Sequence, residues 1–97
     1  MAMRSPPHPG RQVREEIDYL DASLPEAAAA LGVSIQELDQ VIAGAVAITP
    51  EMALRLETAI GGTAEGWIAM QRAYDLAQLR RCAPEILAQV RRLAPTP

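Results

Sequence analysis

The stretch Ser23-Leu24-Pro25-Glu26-Ala27-Ala28-Ala29-Ala30-Leu31-Gly32-Val33-Ser34-Ile35-Gln36-Glu37 decides the fold of this chain. Ser23 and Glu26 stand three apart, as do Ser34 and Glu37. In each pair the hydroxyl and the carboxylate can satisfy two of the backbone N–H groups that a helix leaves unpaired at its start. The first pair opens a helix that runs through four alanines to Leu31, where Gly32 supplies the left-handed residue that ends it. The second pair opens another helix two residues later, with Leu38, Val41 and Ile42 at i, i+3 and i+4 and Gly44 as its stop. Two short helices joined by a tight glycine-containing turn make a helix-turn-helix or, equally on these residues, an ordinary αα-corner.

Upstream, Pro6-Pro7 and His8-Pro9-Gly10 make an extended entry, because proline disfavours the α region in the residue before it. A helix follows over about Arg11–Leu20, with Val13, Ile17 and Leu20 on one face and Arg14, Glu15 and Asp18 in solvent. Downstream, Thr49 as N-cap, Pro50 at the first helical position and Glu51 in the first turn predict a fourth helix. Its apolar face is Met52, Leu56 and Ile60, with Ala53 and Leu54 adjoining, and Gly61-Gly62 stops it. Thr63 caps a fifth helix, where Trp67, Met70, Tyr74 and Ala77 follow one stripe and Arg80-Arg81 meet the negative helix end. Pro84 starts a last helix whose Ile86, Val90 and Leu93 form a seam, with Leu87 beside it, ending at Pro95.

These elements divide the chain into an extended N-terminal arm over 1–10, a helix-turn-helix domain over 11–81 and a C-terminal helix and tail over 82–97. Five helices can bury the core of so small a domain. The sixth either folds back on it or makes a dimer contact through Ile86, Leu87, Val90 and Leu93.

Composition agrees with an all-α class: Ala and Leu supply most of the bulk, against one Trp, two Tyr and no Phe. No apolar run reaches the roughly 18 residues a membrane span needs, and the start of the chain has no apolar signal core, so a cytoplasmic protein is expected. The single Cys82 cannot close an intramolecular disulfide and reads as a small hydrophobe on a helix flank in a reducing compartment. The net charge of −3 conceals an uneven distribution. Residues 1–14 carry Arg4, Arg11 and Arg14 with no acid, residues 15–71 carry ten acids against Arg55 alone, and residues 72–97 carry five Arg against Asp75 and Glu85.

Several segments in order resemble the HigA/VapI branch of the Xre-type helix-turn-helix family. They are His8-Pro9-Gly10 with Val13-Arg14-Glu15-Glu16, Ala30-Leu31-Gly32-Val33-Ser34, Ile48-Thr49-Pro50-Glu51-Met52-Ala53-Leu54-Arg55-Leu56, and Trp67-Ile68, Met70-Gln71 and Ala73-Tyr74-Asp75-Leu76-Ala77. The resemblance spans roughly residues 8 to 80. It implies a five-helix, lambda-repressor-like domain, to which the C-terminal helix from Pro84 is an addition, and a homodimer that binds a palindrome in its own promoter and neutralises a small RelE-like or HigB-like ribonuclease toxin encoded beside it. It implies an antitoxin, not an enzyme, with no cofactor.

Departures from the family pattern fall on the DNA-reading side. Leu24 stands where such proteins carry Gln, the exposed start of the recognition helix reads Ile35, Gln36, Glu37, Asp39 and Gln40, and the following loop is Ala43-Gly44-Ala45-Val46 where the family has basic residues. Gln36 and Gln40 can each read an adenine edge, the helix starts at Ser23 and Ser34 can hold phosphates, and Arg11 and Arg14, with Arg4, can touch the backbone. A carboxylate at Glu37 or Asp39 opposes all of these, since affinity for DNA comes chiefly from neutralised phosphates. Leu24, Ile35, Glu37, Asp39, Ala45 and Val46 therefore form a second candidate site, for a basic protein partner such as the toxin. An alternative is an adaptor or non-catalytic subunit of a larger enzyme that has lost DNA binding.

Enzymatic readings find little support. His8 has no metal partner near it in sequence, Cys82 has no adjacent His, and no nucleophile elbow or phosphate-binding glycine loop occurs. Trp67 and Tyr74, seven residues apart on an apolar stripe, are read as core and not as a base-stacking platform.

Overall fold

The structure, a computed structural model, describes residues 6–93. Six helices occur in it: α1 (Gly10–Tyr19), α2 (Leu24–Leu31), α3 (Ile35–Ile42), α4 (Pro50–Ala59), α5 (Ala64–Arg81) and α6 (Ala83–Leu87). There is no strand among the described residues, and none of the helices is long and apolar enough to cross a membrane.

Both capping boxes are formed. The Ser23 hydroxyl accepts from the Glu26 N–H at 3.2 Å while Glu26 Oε1 accepts from the Ser23 N–H at 2.9 Å. The corresponding distances at Ser34 and Glu37 are 3.0 and 3.1 Å. Gly32 takes the left-handed conformation, φ 73°, which ends α2 and turns the chain toward α3 without a Cβ penalty. Thr49 and Thr63 cap α4 and α5 by accepting from Met52 N and Gly66 N.

The core gathers Val13 and Ile17 of α1, Ala27, Ala28 and Leu31 of α2, Leu38 and Val41 of α3, Ile48, Ala53 and Leu56 around α4, and Trp67 of α5. Each buried aliphatic side chain of this size contributes roughly 1.5–3 kcal/mol. The alanines of α2 let it lie close against both α3 and α4. Gly10 does the same for α1: a Cβ there would overlap the Val41 carbonyl oxygen, so α1 begins in contact with the carboxyl end of α3. Trp67 is buried and donates from Nε1 to the Gly61 carbonyl at 2.9 Å. Tyr74 is half-buried and meets the His8 ring edge-on.

Several expectations fail. The last helix is one turn and stops at Leu87; residues 88–93 are not helical, so Ile86, Val90 and Leu93 form no seam. Periodicity alone cannot hold a short helix, because helix nucleation is costly and stability comes from packing the apolar face; α6 has no buried residue. Leu20 lies beyond the end of α1 and Leu54 points outward, and both are more than half exposed or close to it. Cys82 is exposed at the α5–α6 junction.

Candidate functional site

α2 and α3 pack against each other as a helix-turn-helix, and α3 turns its buried side, Leu38 and Val41, to the core. Gln36, Asp39, Gln40 and Ala43 follow at i, i+3, i+4 and i+7 on the outer side. Ile35 is 46% exposed at the head of the helix and Val46 41% exposed in the loop behind it, with Glu37 and Ala45 also in solvent. Leu24 is a correction: it is half-buried and packs on the core, on the same inward face of α2 as Ala27, Ala28 and Leu31. It is partly taken up by the core and is not a free contact.

Ser23 and Ser34 hold the helix starts, but in each the hydroxyl already accepts from the backbone N–H three residues on. The carboxylates of Glu26 and Glu37 accept from the N-cap N–H groups of Ser23 and Ser34, and Pro25 has no N–H to offer, so fewer donors are left at these helix starts for a phosphate. The Glu26 carboxyl is held below its ordinary value, first by the Ser23 backbone N–H and then by the Ser23 hydroxyl. Each helix start thus carries its own anion.

Cations are scarce around this face. Arg11 and Arg14 of α1 lie 3.4 Å from Glu15 and Asp18 in exposed i,i+4 pairs. Arg55 pairs with Glu51 at 3.1 Å and donates to the carbonyls of Leu31 at 2.8 Å and Gly32 at 3.3 Å, closing the carboxyl end of α2. Arg4 lies outside the described residues.

The loop after α3 is fastened from two sides by Gln71 and His8, two residues of the family segments to which the sequence assigns no contact. Buried Gln71 of α5 accepts from Ile48 N at 2.8 Å through Oε1 and donates from Nε2 to Asp75 at 2.9 Å. His8 accepts from Gly10 N at 2.9 Å through Nδ1 and lies against Gly44. Among the described residues no three His, Cys, Asp or Glu side chains gather to hold a metal.

A second surface runs along α5. Leu54, Ala64, Ile68 and Ala69 line a groove between α4 and α5, bordered by Glu65 and Arg72. Farther along, Leu76 and Leu79 share a depression with Ile86 and Leu87. Val90 and Leu93, also expected at a dimer contact, are exposed beyond α6 and do not line it.

No protein-family model matches the chain. A curated relative from Escherichia coli, the uncharacterized helix-turn-helix-type transcriptional regulator YddM, is 33% identical over 93 residues, covering 96% of this chain and 97% of the relative. An addiction module antidote protein of a HigA family from Coxiella burnetii has a TM-score of 0.82 at 30% identity, over 96% of this chain and 100% of that one. The antitoxin HigA of Pseudomonas aeruginosa, solved with the higBA promoter, gives 0.83 at 28% identity over 92% and 99% of the two chains.

Proposed function

The chain belongs to the HigA/VapI antitoxin branch of the Xre helix-turn-helix family, and from that premise we propose that it is a cytoplasmic antitoxin that neutralises a RelE-like or HigB-like toxin by contact, without catalysis of its own. The observation that carries this reading is charge: residues 15–54, from α1 through the helix-turn-helix into α4, hold eight acids and no arginine or lysine, and α2 and α3 themselves carry Glu26, Glu37 and Asp39 with no cation. An acidic face with half-exposed Ile35 and Val46 fits a cationic protein, and complementary charge speeds encounter and sets specificity. The proposed contact residues are Ile35, Glu37, Asp39, Ala45 and Val46, with Leu24 supporting them. Co-expression with the product of the neighbouring small reading frame should yield a complex that survives purification and weakens with salt. Stable capture of an unrelated enzyme by this face would replace the antitoxin reading with that of a non-catalytic subunit.

Repression of its own operon is the second reading, supported by the promoter complex of the Pseudomonas relative. It draws on Gln36 and Gln40 for base contacts and on Arg11 and Arg14 for phosphates. The exposed pairs holding those arginines contribute less than about 1 kcal/mol each, so a phosphate can recruit them. A gel shift on upstream DNA should show a complex at low salt that falls steeply as salt rises; no complex at low salt would remove this reading. We further infer a homodimer through the apolar surface of α5 and α6, with Leu76, Leu79, Ile86 and Leu87 at its centre. Sedimentation of Leu76→Glu as a monomer, with wild type as a dimer, is the expected result.

A further inference from the structure

We propose that two copies of this chain exchange their C-terminal arms: the α5–α6 end of each copy seats in the groove between α4 and α5 of the other. Two apolar surfaces lie at opposite ends of one helix. Toward the start of α5, Leu54 of α4 stands with Ala64, Ile68 and Ala69 along the groove, bordered by Glu65 and Arg72. Toward its end, Leu76 and Leu79 share their depression with Ile86 and Leu87 of α6, and Arg80 stands at the edge. Beyond Gln71 neither α5 nor α6 has a buried residue. The four large aliphatic side chains of this arm, like Leu54 in the groove, are each about half exposed.

Register decides which surface meets which. Glu65, Ile68, Arg72, Leu76 and Leu79 recur at i, i+3, i+7, i+11 and i+14, so they form one stripe along α5. A two-fold axis beside that stripe, level with Tyr74, runs two copies of α5 antiparallel, and two-fold pairing is the commonest arrangement of identical chains. At a rise of about 1.5 Å per residue, Ile68 of one copy then lies level with Arg80 of the second, and Glu65 level with Ala83. The groove of each copy thereby faces α6 of the other. Charge follows the same register, since Glu65 comes within one turn of Arg80 across the axis and Arg72 within one turn of Asp75. Size favours exchange over a face-to-face pairing of the two arms. A stable interface buries roughly 800 Å² per partner from about 20 residues or more, whereas α6 has five residues. Pairing the arms alone leaves Leu54 and the groove in water; exchange covers both surfaces on both copies, because a two-fold contact is made twice.

The exchange rests on the homodimer inferred above and specifies which surfaces form it. Exposed Cys82, at the root of α6, supplies a probe. Full chain carrying a nitroxide on Cys82 is mixed with isotopically labelled, unmodified chain, whose amides are read by NMR. Exchange predicts that Leu54 and Glu65 of the unmodified copy broaden more than Leu87; the reverse order would overturn it in favour of arms packed face to face. Sedimentation gives an independent readout. Leu54→Glu and Ile86→Glu should each raise the dissociation constant of the dimer at least tenfold with helix content unchanged. A mixture of these two variants keeps one intact arm-in-groove contact, so mixed dimers should form at concentrations where neither variant dimerises alone. Dimerisation of Leu54→Glu as tight as wild type, or no mixed dimer, would overturn the exchange while the homodimer stands. Wild type that sediments as a monomer at every concentration would remove both.

Discussion

Arg55 Nη1 donates to the Leu31 carbonyl at 2.8 Å, so the one arginine of the acidic middle of the chain closes the end of α2 instead of facing a ligand. The same nitrogen stands 2.8 Å from where a Cβ on Gly32 would be. Helix end, turn and α4 are thereby tied at one point.

Replacing Arg55 with Met keeps much of the stem but leaves the last carbonyls of α2 without this donor. A hydrogen bond from a charged group is worth about 1.5–3 kcal/mol, and because Arg55 is partly exposed the lower part of that range applies. Thermal unfolding should lose about 4–8 °C per kcal/mol in a chain of this size. Arg55→Lys, which cannot bond two carbonyls and Glu51 together, should fall between the two. A melting temperature unchanged in Arg55→Met would show that water replaces the guanidinium fully.

Glu26 supplies a pH signature. Its carboxyl sits below the ordinary value because the Ser23 N–H and hydroxyl bond the ionised form. The stabilisation is present above the unfolded-state value and is lost as pH falls through the lower folded-state value. Denaturant unfolding of wild type and Glu26→Gln should therefore differ at neutral pH and converge in acid. Parallel stability curves from neutral pH down to strong acid would mean the capping box does not depend on the carboxylate charge.

The α3 face can be tested without disturbing the core. Ile35 and Val46 are each close to half exposed, so Ile35→Glu and Val46→Glu should leave the melting temperature within a few degrees while weakening a protein partner by more than tenfold. Glu37→Gln and Asp39→Asn should weaken the same complex mainly at low salt and strengthen any binding to DNA, since each removes an anion opposite phosphates. Wild-type affinity for the partner in both apolar variants would move the contact off this face.

What the sequence disclosed is what is local in it. A capping box joins residues three apart, and a helical face repeats every three or four, so both can be read before any fold is known. The inward side of Leu24 is local too, because 24, 27, 28 and 31 share one face of α2. Arg55 and Gln71 were not legible because their partners lie 24 and 23 residues away. The long final helix failed for the converse reason: the repeat of Ile86, Val90 and Leu93 is real, but none of the three is buried against another element among the described residues.

Gly10 puts two opposed effects on one residue. It is the first residue of α1, where alanine is the better helix former by up to about 1 kcal/mol, so propensity alone predicts that Gly10→Ala stabilises. The structure reverses the sign, because the new methyl would overlap the Val41 carbonyl oxygen and crowd that of Ile42, at 2.9 Å, and both are backbone atoms that no rotamer change can move. Overpacking a well-fitted contact costs typically 1–3 kcal/mol, which exceeds the propensity gain. Gly10→Ala should therefore lower the melting temperature and speed hydrogen exchange at the end of α3, around Ala43 to Ala45. A stabilised Gly10→Ala would mean that α1 can shift away from α3 at little cost, and the packing of His8-Pro9-Gly10 against the loop would then have to be looser than the distances indicate.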